Sequence, residues 1–146
     1  MRPGEENMLA ARRCALVFAG LVSLLALAAA AAEPPDWSAV ADVDTVSVAT
    51  SNPDGTLRYT TVWLVVVGGR GYLRTGSTTW GENVDRNPNV TLVIGEQEYA
   101  LRAEPVEAED ERAQVMAAFN EKYGWSDTVF GWFRGARPKI LRLASL

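Results

Sequence analysis

Between residues 33 and 146 the hydrophobic positions change period several times. Asp44–Ser51 (DTVSVATS) sets Val46 and Val48 among small polar residues, the pattern of a half-buried strand. Asn52-Pro53-Asp54-Gly55 is a turn in which proline presets the bend, aspartate caps it and glycine takes positive φ. Thr56–Val67 (TLRYTTVWLVVV) is rich in β-branched and aromatic residues. Its second half is apolar on both faces, which predicts a long strand running through the middle of the core. Gly68-Gly69-Arg70-Gly71 closes a hairpin onto Tyr72–Thr75. The polar, Gly-interrupted Gly76–Asn87 predicts a loop leading into a short helix that ends near Asn87-Pro88.

Asn89–Ile94 is a further strand, Gly95-Glu96 turns, and Gln97–Val106 returns with Tyr99, Leu101 and Ala103 on one face. Glu109–Tyr123 has helical period, with Val115, Met116, Phe119 and Tyr123 in one stripe. Glu109, Asp110 and Glu111 complement its positive start on a solvated face, Lys122 suits its end, and Gly124 stands at C′. Lys139–Leu143 alternates as a last strand, and Ser38–Asp42 is read as a short helix after Trp37. Six strands joined mostly by tight turns predict a mainly β (α+β) fold: a small antiparallel barrel with one main helix between its last two strands.

The first 32 residues follow another logic. Arg12-Arg13 precede Cys14–Ala32, 19 residues without a charge, and Ala28–Ala32 offer small residues for processing. This is the pattern of an export signal, so residues 1–32 are expected to be an address and 33–146 the folded domain. An uncleaved N-terminal anchor is the competing reading, because the run is long enough to span a bilayer. Membrane contact is then expected only through residues 14–32. Arg12-Arg13 is read as ordinary n-region charge, with twin-arginine export as the alternative, and Met8 competes with Met1 as the start.

Composition narrows the chemistry. The chain carries 14 Lys and Arg against 18 Asp and Glu, a net charge of −4, and no basic stripe, which argues against nucleic acid as a partner. It has no histidine, and its one cysteine is Cys14 in the address segment. A Ser-His-Asp triad, a cysteine nucleophile in the domain, a disulfide and the usual N/S zinc site are therefore excluded, and no metal site is expected. Gly68-Gly69-Arg70-Gly71 lacks the context of a phosphate loop, and Gly124-Trp125-Ser126-Asp127 lacks the spacing of a nucleophile elbow. If the protein is an enzyme, a bound cofactor must bring the hard chemistry.

Three stretches carry a resemblance: Asp54–Trp63 (DGTLRYTTVW), Gly71–Thr75 (GYLRT) and Arg86–Leu92 (RNPNVTL). With Ala103-Glu104-Pro105-Val106 and Lys122-Tyr123, their order resembles the split β-barrel flavoproteins. That group takes in pyridoxamine-phosphate-oxidase-like proteins and FMN- or deazaflavin-dependent reductases. The resemblance, from about Trp37 to Leu143, implies a homodimer with FMN or a deazaflavin in a cleft between subunits. It implies that Thr60, Thr61, Val62 and Trp63 line the ring, and that Arg74, Thr75, Gly76, Ser77 and Thr78 hold the phosphate. The family's phosphate-pairing lysine is missing, and Trp80 is the large residue nearby.

Read on their own chemistry, Arg74, Thr75, Ser77 and Thr78 supply a cation and three hydroxyls around a flexible Gly76, which suits a phosphate or equally a solvated hairpin end. Trp63 is read first as core and second as a stacking wall, whereas Trp80 lies in a polar loop. Tyr72 is assigned to the core. Phe130, Trp132 and Phe133 beside Arg134 and Arg137 cover a barrel mouth, or else serve as a dimer contact or cofactor lid. No side chain stands out as a general acid or base, so catalytic residues are unassigned. Two functions are carried forward: an exported flavin- or deazaflavin-dependent oxidoreductase, and a non-catalytic split-barrel module of the cell envelope.

Overall fold

A computed structural model describes residues 33–124 and 137–146. The expected address segment and the aromatic cluster at Phe130–Arg134 lie outside the described residues. The elements in chain order are β1 (Thr45–Ser51), β2 (Leu57–Val67), β3 (Arg70–Thr75), α1 (Thr79–Arg86), β4 (Asn89–Ile94), β5 (Gln97–Pro105), α2 (Glu109–Tyr123) and β6 (Lys139–Ser145). The strands close a barrel in the order β1-β2-β3-β6-β5-β4, every pair antiparallel. The six strands and the helix over 109–123 match the reading from periodicity, and α1 makes a second helix. Among the described residues no helix is long and apolar enough to cross a membrane.

Residues 38–42 form turns instead of the expected helix. The Asp36 carboxylate accepts from the Ser38 amide at 3.0 Å and the Ser38 hydroxyl at 2.6 Å, and the next backbone bonds span three residues (Ala39 N–H to Asp36, Val43 N–H to Val40). A side chain that captures its neighbour's amide competes with helix propagation. The β1–β2 turn forms as its residues dictate: Asp54 accepts from the Thr56 amide and hydroxyl at 2.9 and 2.6 Å. Gly68 and Gly69, at φ 57° and 73°, make the two-residue hairpin between β2 and β3. Both positions lie in the left-handed region that such a turn requires.

β2 decides how the core divides. Val62 and Leu64 point into the barrel with Val46, Val48, Leu73, Leu92, Leu101 and Leu141. Val65 faces outward with Tyr72 and Ile140, where Val115 and Phe119 of α2 cover them. The apolar second half of β2 is thus buried on both faces because two separate cores use it, and burial of that much hydrocarbon is the main stabilising term. The first half behaves differently. β3 pairs only with Leu64–Val67, so Leu57–Trp63 has β1 as its ladder partner. Its outward residues stay open to solvent: Leu57 is 59% exposed, Tyr59 60% and Trp63 38%.

Candidate functional site

A cleft of about 290 Å³ opens on the outside of the barrel, where β2 parts from β3 beneath the end of α2. β2 contributes Thr61, Val62 and Trp63, β3 contributes Arg74, α1 contributes Trp80, and Phe119 and Thr45 complete the lining. Four of the residues assigned to the ring or phosphate by resemblance, Thr61, Val62, Trp63 and Arg74, therefore meet in one place, together with Trp80. Thr60, the neighbouring position, is half-buried and does not line the cleft.

Trp63 stands outside the barrel core, where the first reading had placed it. Its ring stacks on Tyr123 with centroids 4.5 Å apart and planes within 6°. The Tyr123 hydroxyl lies 2.6 Å from the carbonyls of both Asp44 and Leu64 and accepts from the Leu64 amide at 3.2 Å. Trp63 thus has a wall behind it that is bonded to the backbone. Beside it, the Arg74 guanidinium lies 4.6 Å from the Phe119 ring centroid and 5.9 Å from that of Trp63. A guanidinium over aromatic faces is held by the ring quadrupole while its N–H donors stay in their own plane. Phe119 is fully buried, so this support is fixed.

The segment assigned to phosphate is used differently. Thr75 is 2% exposed, and its hydroxyl lies 2.7 Å from that of Thr78. The Thr78 oxygen also accepts from the Gly81 amide at 3.2 Å, which makes Thr78 the N-cap of α1. The Thr78 amide donates to the Gly76 carbonyl at 2.9 Å, and Ser77 is exposed. Trp80, whose burial a polar loop left open, is only 6% exposed in the first turn of α1, joins the barrel core and reaches the cleft.

Three supporting groups were not assigned these roles by the sequence. Lys122, read as a complement to the helix end, donates to the carbonyls of Ala41, Val43 and Leu64 at 3.0, 2.6 and 3.0 Å. Burial holds its ammonium below the ordinary lysine range, while Asp44 and Asp42 pull the other way. Asn83 is fully buried and donates to Thr50 and Asn52 at 3.0 Å each, which ties α1 and its Trp80 to the start of the β1–β2 turn. Glu111 is more than a dipole complement: it accepts from the Tyr72 hydroxyl at 2.7 Å and from Arg142 at 3.0 Å. Those bonds hold its carboxyl below the usual range, Tyr72 contributing most, whereas burial and Glu111 raise the Tyr72 phenol. The adjacent Lys122-Tyr123 pair was the available signal for the cleft wall, but the carbonyls it serves are distant in sequence.

The closed six-stranded barrel, with its helix between the last two strands and its cleft against β2, is a split β-barrel. Solved structures share it. HutZ, a heme storage protein from Vibrio cholerae, is 19% identical with a TM-score of 0.58, covering 70% of this chain and 82% of its own. A putative pyridoxamine 5′-phosphate oxidase from Listeria innocua is 17% identical (TM-score 0.53, 70% of this chain, 83% of its own). An F420 reductase is 18% identical (TM-score 0.53, 78% and 96%). No curated protein matches in sequence. Residues 36–143 match the family described as "Uncharacterized protein conserved in bacteria (DUF2255)", and the chain belongs to that family.

Proposed function

We propose that this protein is an exported oxidoreductase that binds a flavin or deazaflavin as a homodimer. The observation that carries the reading is the cleft. Trp63 presents a buttressed aromatic surface there, beside an Arg74 guanidinium steadied by Phe119. The F420 reductase and the pyridoxamine-phosphate-oxidase-like protein of the same fold support it. When bound, such a cofactor supplies the hydride or electron transfer. Trp63 would form the ring's platform, Thr61 and Val62 would flank it, and Arg74 would meet an electron-rich edge. The heme-storing neighbour raises a heme reading, but this chain has no histidine to ligate the iron.

The open stripe of Leu57 and Tyr59 supports the homodimer, since large apolar side chains in a row on one strand mark contact surfaces. A neighbour's description as a domain-swapped dimer is in keeping with this. The uncharged Cys14–Ala32 run supports export, and an N-terminal peptide of the mature protein that starts near Glu33 would be the expected product.

Purified protein should show flavin or deazaflavin absorbance or gain thermal stability with either, and should run at twice the monomer mass in light scattering. A colourless monomer that neither cofactor stabilises would refute the reading. A second reading, a non-catalytic binding module, is favoured by one feature: among the described residues that line the cleft, Arg74 is the one ionisable side chain. Cofactor binding without turnover of quinone or nitro-compound acceptors would select it.

A further inference from the structure

We infer that Lys122 is a positioning residue of the cleft. Its ammonium fastens the stretch 41–44 to β2 at Leu64, and that fastening sets the Tyr123 ring on which Trp63 stacks. The inference rests on the cofactor reading above and adds to it a residue that acts through Tyr123, since Lys122 does not itself line the cleft.

An ammonium has three N–H donors, and here each has its own carbonyl: Ala41 at 3.0 Å, Val43 at 2.6 Å and Leu64 at 3.0 Å. Two of these carbonyls belong to the stretch that leads into β1, and the third lies in β2, one residue beyond Trp63. Between that stretch and α2 is a hollow of about 360 Å³, lined by Ala41, Asp42, Ala118 and Lys122 among others. The ammonium thus bridges a place that hydrocarbon does not fill. Burial works against a charge there, and the three carbonyls offset that cost.

The neighbouring phenol uses the same acceptors. Tyr123 has one O–H, yet its oxygen lies 2.6 Å from the carbonyls of both Asp44 and Leu64. Lys122 supplies Leu64 with a donor, which lets the phenol proton serve Asp44, while the Leu64 amide donates back to the phenol oxygen at 3.2 Å. Without the ammonium, two carbonyls compete for one proton, and the phenol no longer joins stretch and strand together. Its ring is stacked on Trp63 with centroids 4.5 Å apart, so a change in its setting is passed directly to the cleft wall.

Lys122→Met keeps the length of the side chain and removes its donors. Three readouts on the folded full chain test its role. The first is the near-ultraviolet circular dichroism of the Trp63–Tyr123 pair, read as the difference that Trp63→Phe makes. The second is cleavage at Asp42 and Asp44 by an Asp-specific protease, and the third is the dissociation constant for FMN or 5-deaza-FMN. The dichroic signal should be lost, while cleavage should quicken and affinity fall, each by about fivefold. Lys122→Arg keeps the charge but offers a planar fork in place of three converging donors, and should move all three readouts the same way if the methionine variant does not fold. A folded variant in which any one readout stays at the parental level overturns the inference, and so does one that loses stability alone. If the parent binds neither cofactor, the flavin reading falls, and the first two readouts decide the inference by the same criteria.

Discussion

Two neighbouring regions hold the same kinds of residue and use them in opposite ways. At the corner Thr75–Gly81, the Thr75 and Thr78 hydroxyls and the Thr78 and Gly81 amides are matched to one another within the segment. At the cleft only a few residues away, Trp63 stacks on Tyr123 and Arg74 lies over Phe119, and both line the opening. Polar residues near a turn become a helix cap when their partners lie within three or four residues, as Thr78 and Gly81 do. A strand residue becomes a site when its sheet neighbour is missing on one side, as it is for Trp63 after β3 stops pairing at Leu64. Polar groups are thus spent on local structure in one region, while the proposed binding surface is built in the other.

That division can be broken by substitution. The largest effect is expected at Gly81. Alanine there would gain about 1 kcal/mol of helix propensity but must push against the Gly76 carbonyl and the buried Thr75 hydroxyl. Overpacking of this kind outweighs the gain, so Gly81→Ala should lose about 2 kcal/mol in denaturant unfolding. A variant as stable as the parent would show that the corner is looser than described. A smaller effect is expected for Thr78→Ala, which removes the cap and the shorter of the Thr75 hydroxyl's two contacts: a loss of about 1 kcal/mol, with ring-ligand affinity unchanged. If Thr78→Ala instead weakened ligand binding by about tenfold at full occupancy of the fold, the corner would belong to the site.

Much of this was legible from the chain because its signals are local. Strand alternation, the Asn52–Gly55 turn, the Gly68-Gly69 hairpin and the α2 stripe ending at Gly124 each depend on residues within a few positions. The double-sided apolar run of β2 also announced its importance, although it serves two cores, one on each face. What local pattern could not supply was the partner of each polar group. Thr75 and Thr78 read as ligand donors because a sequence displays hydroxyls and not what they bond to. Lys122 read as a dipole complement because Ala41, Val43 and Leu64 reach it only through the fold. Trp63 read first as core for the same reason: whether a strand residue is covered depends on where the next strand stops pairing. The ring-lining assignment came from resemblance, and at Thr61, Val62 and Trp63 it coincides with the cleft.

The central claim is that Trp63 is the platform for a planar cofactor ring, and Trp63→Ala tests it most directly. The side chain is partly exposed and lies outside the barrel interior, so its removal should leave the fold intact by circular dichroism. Flavin titration of this variant should show affinity lowered by about tenfold, or ~1.4 kcal/mol, for ligands with and without a phosphate alike. A folded Trp63→Ala protein that binds these ligands as tightly as the parent would contradict the account.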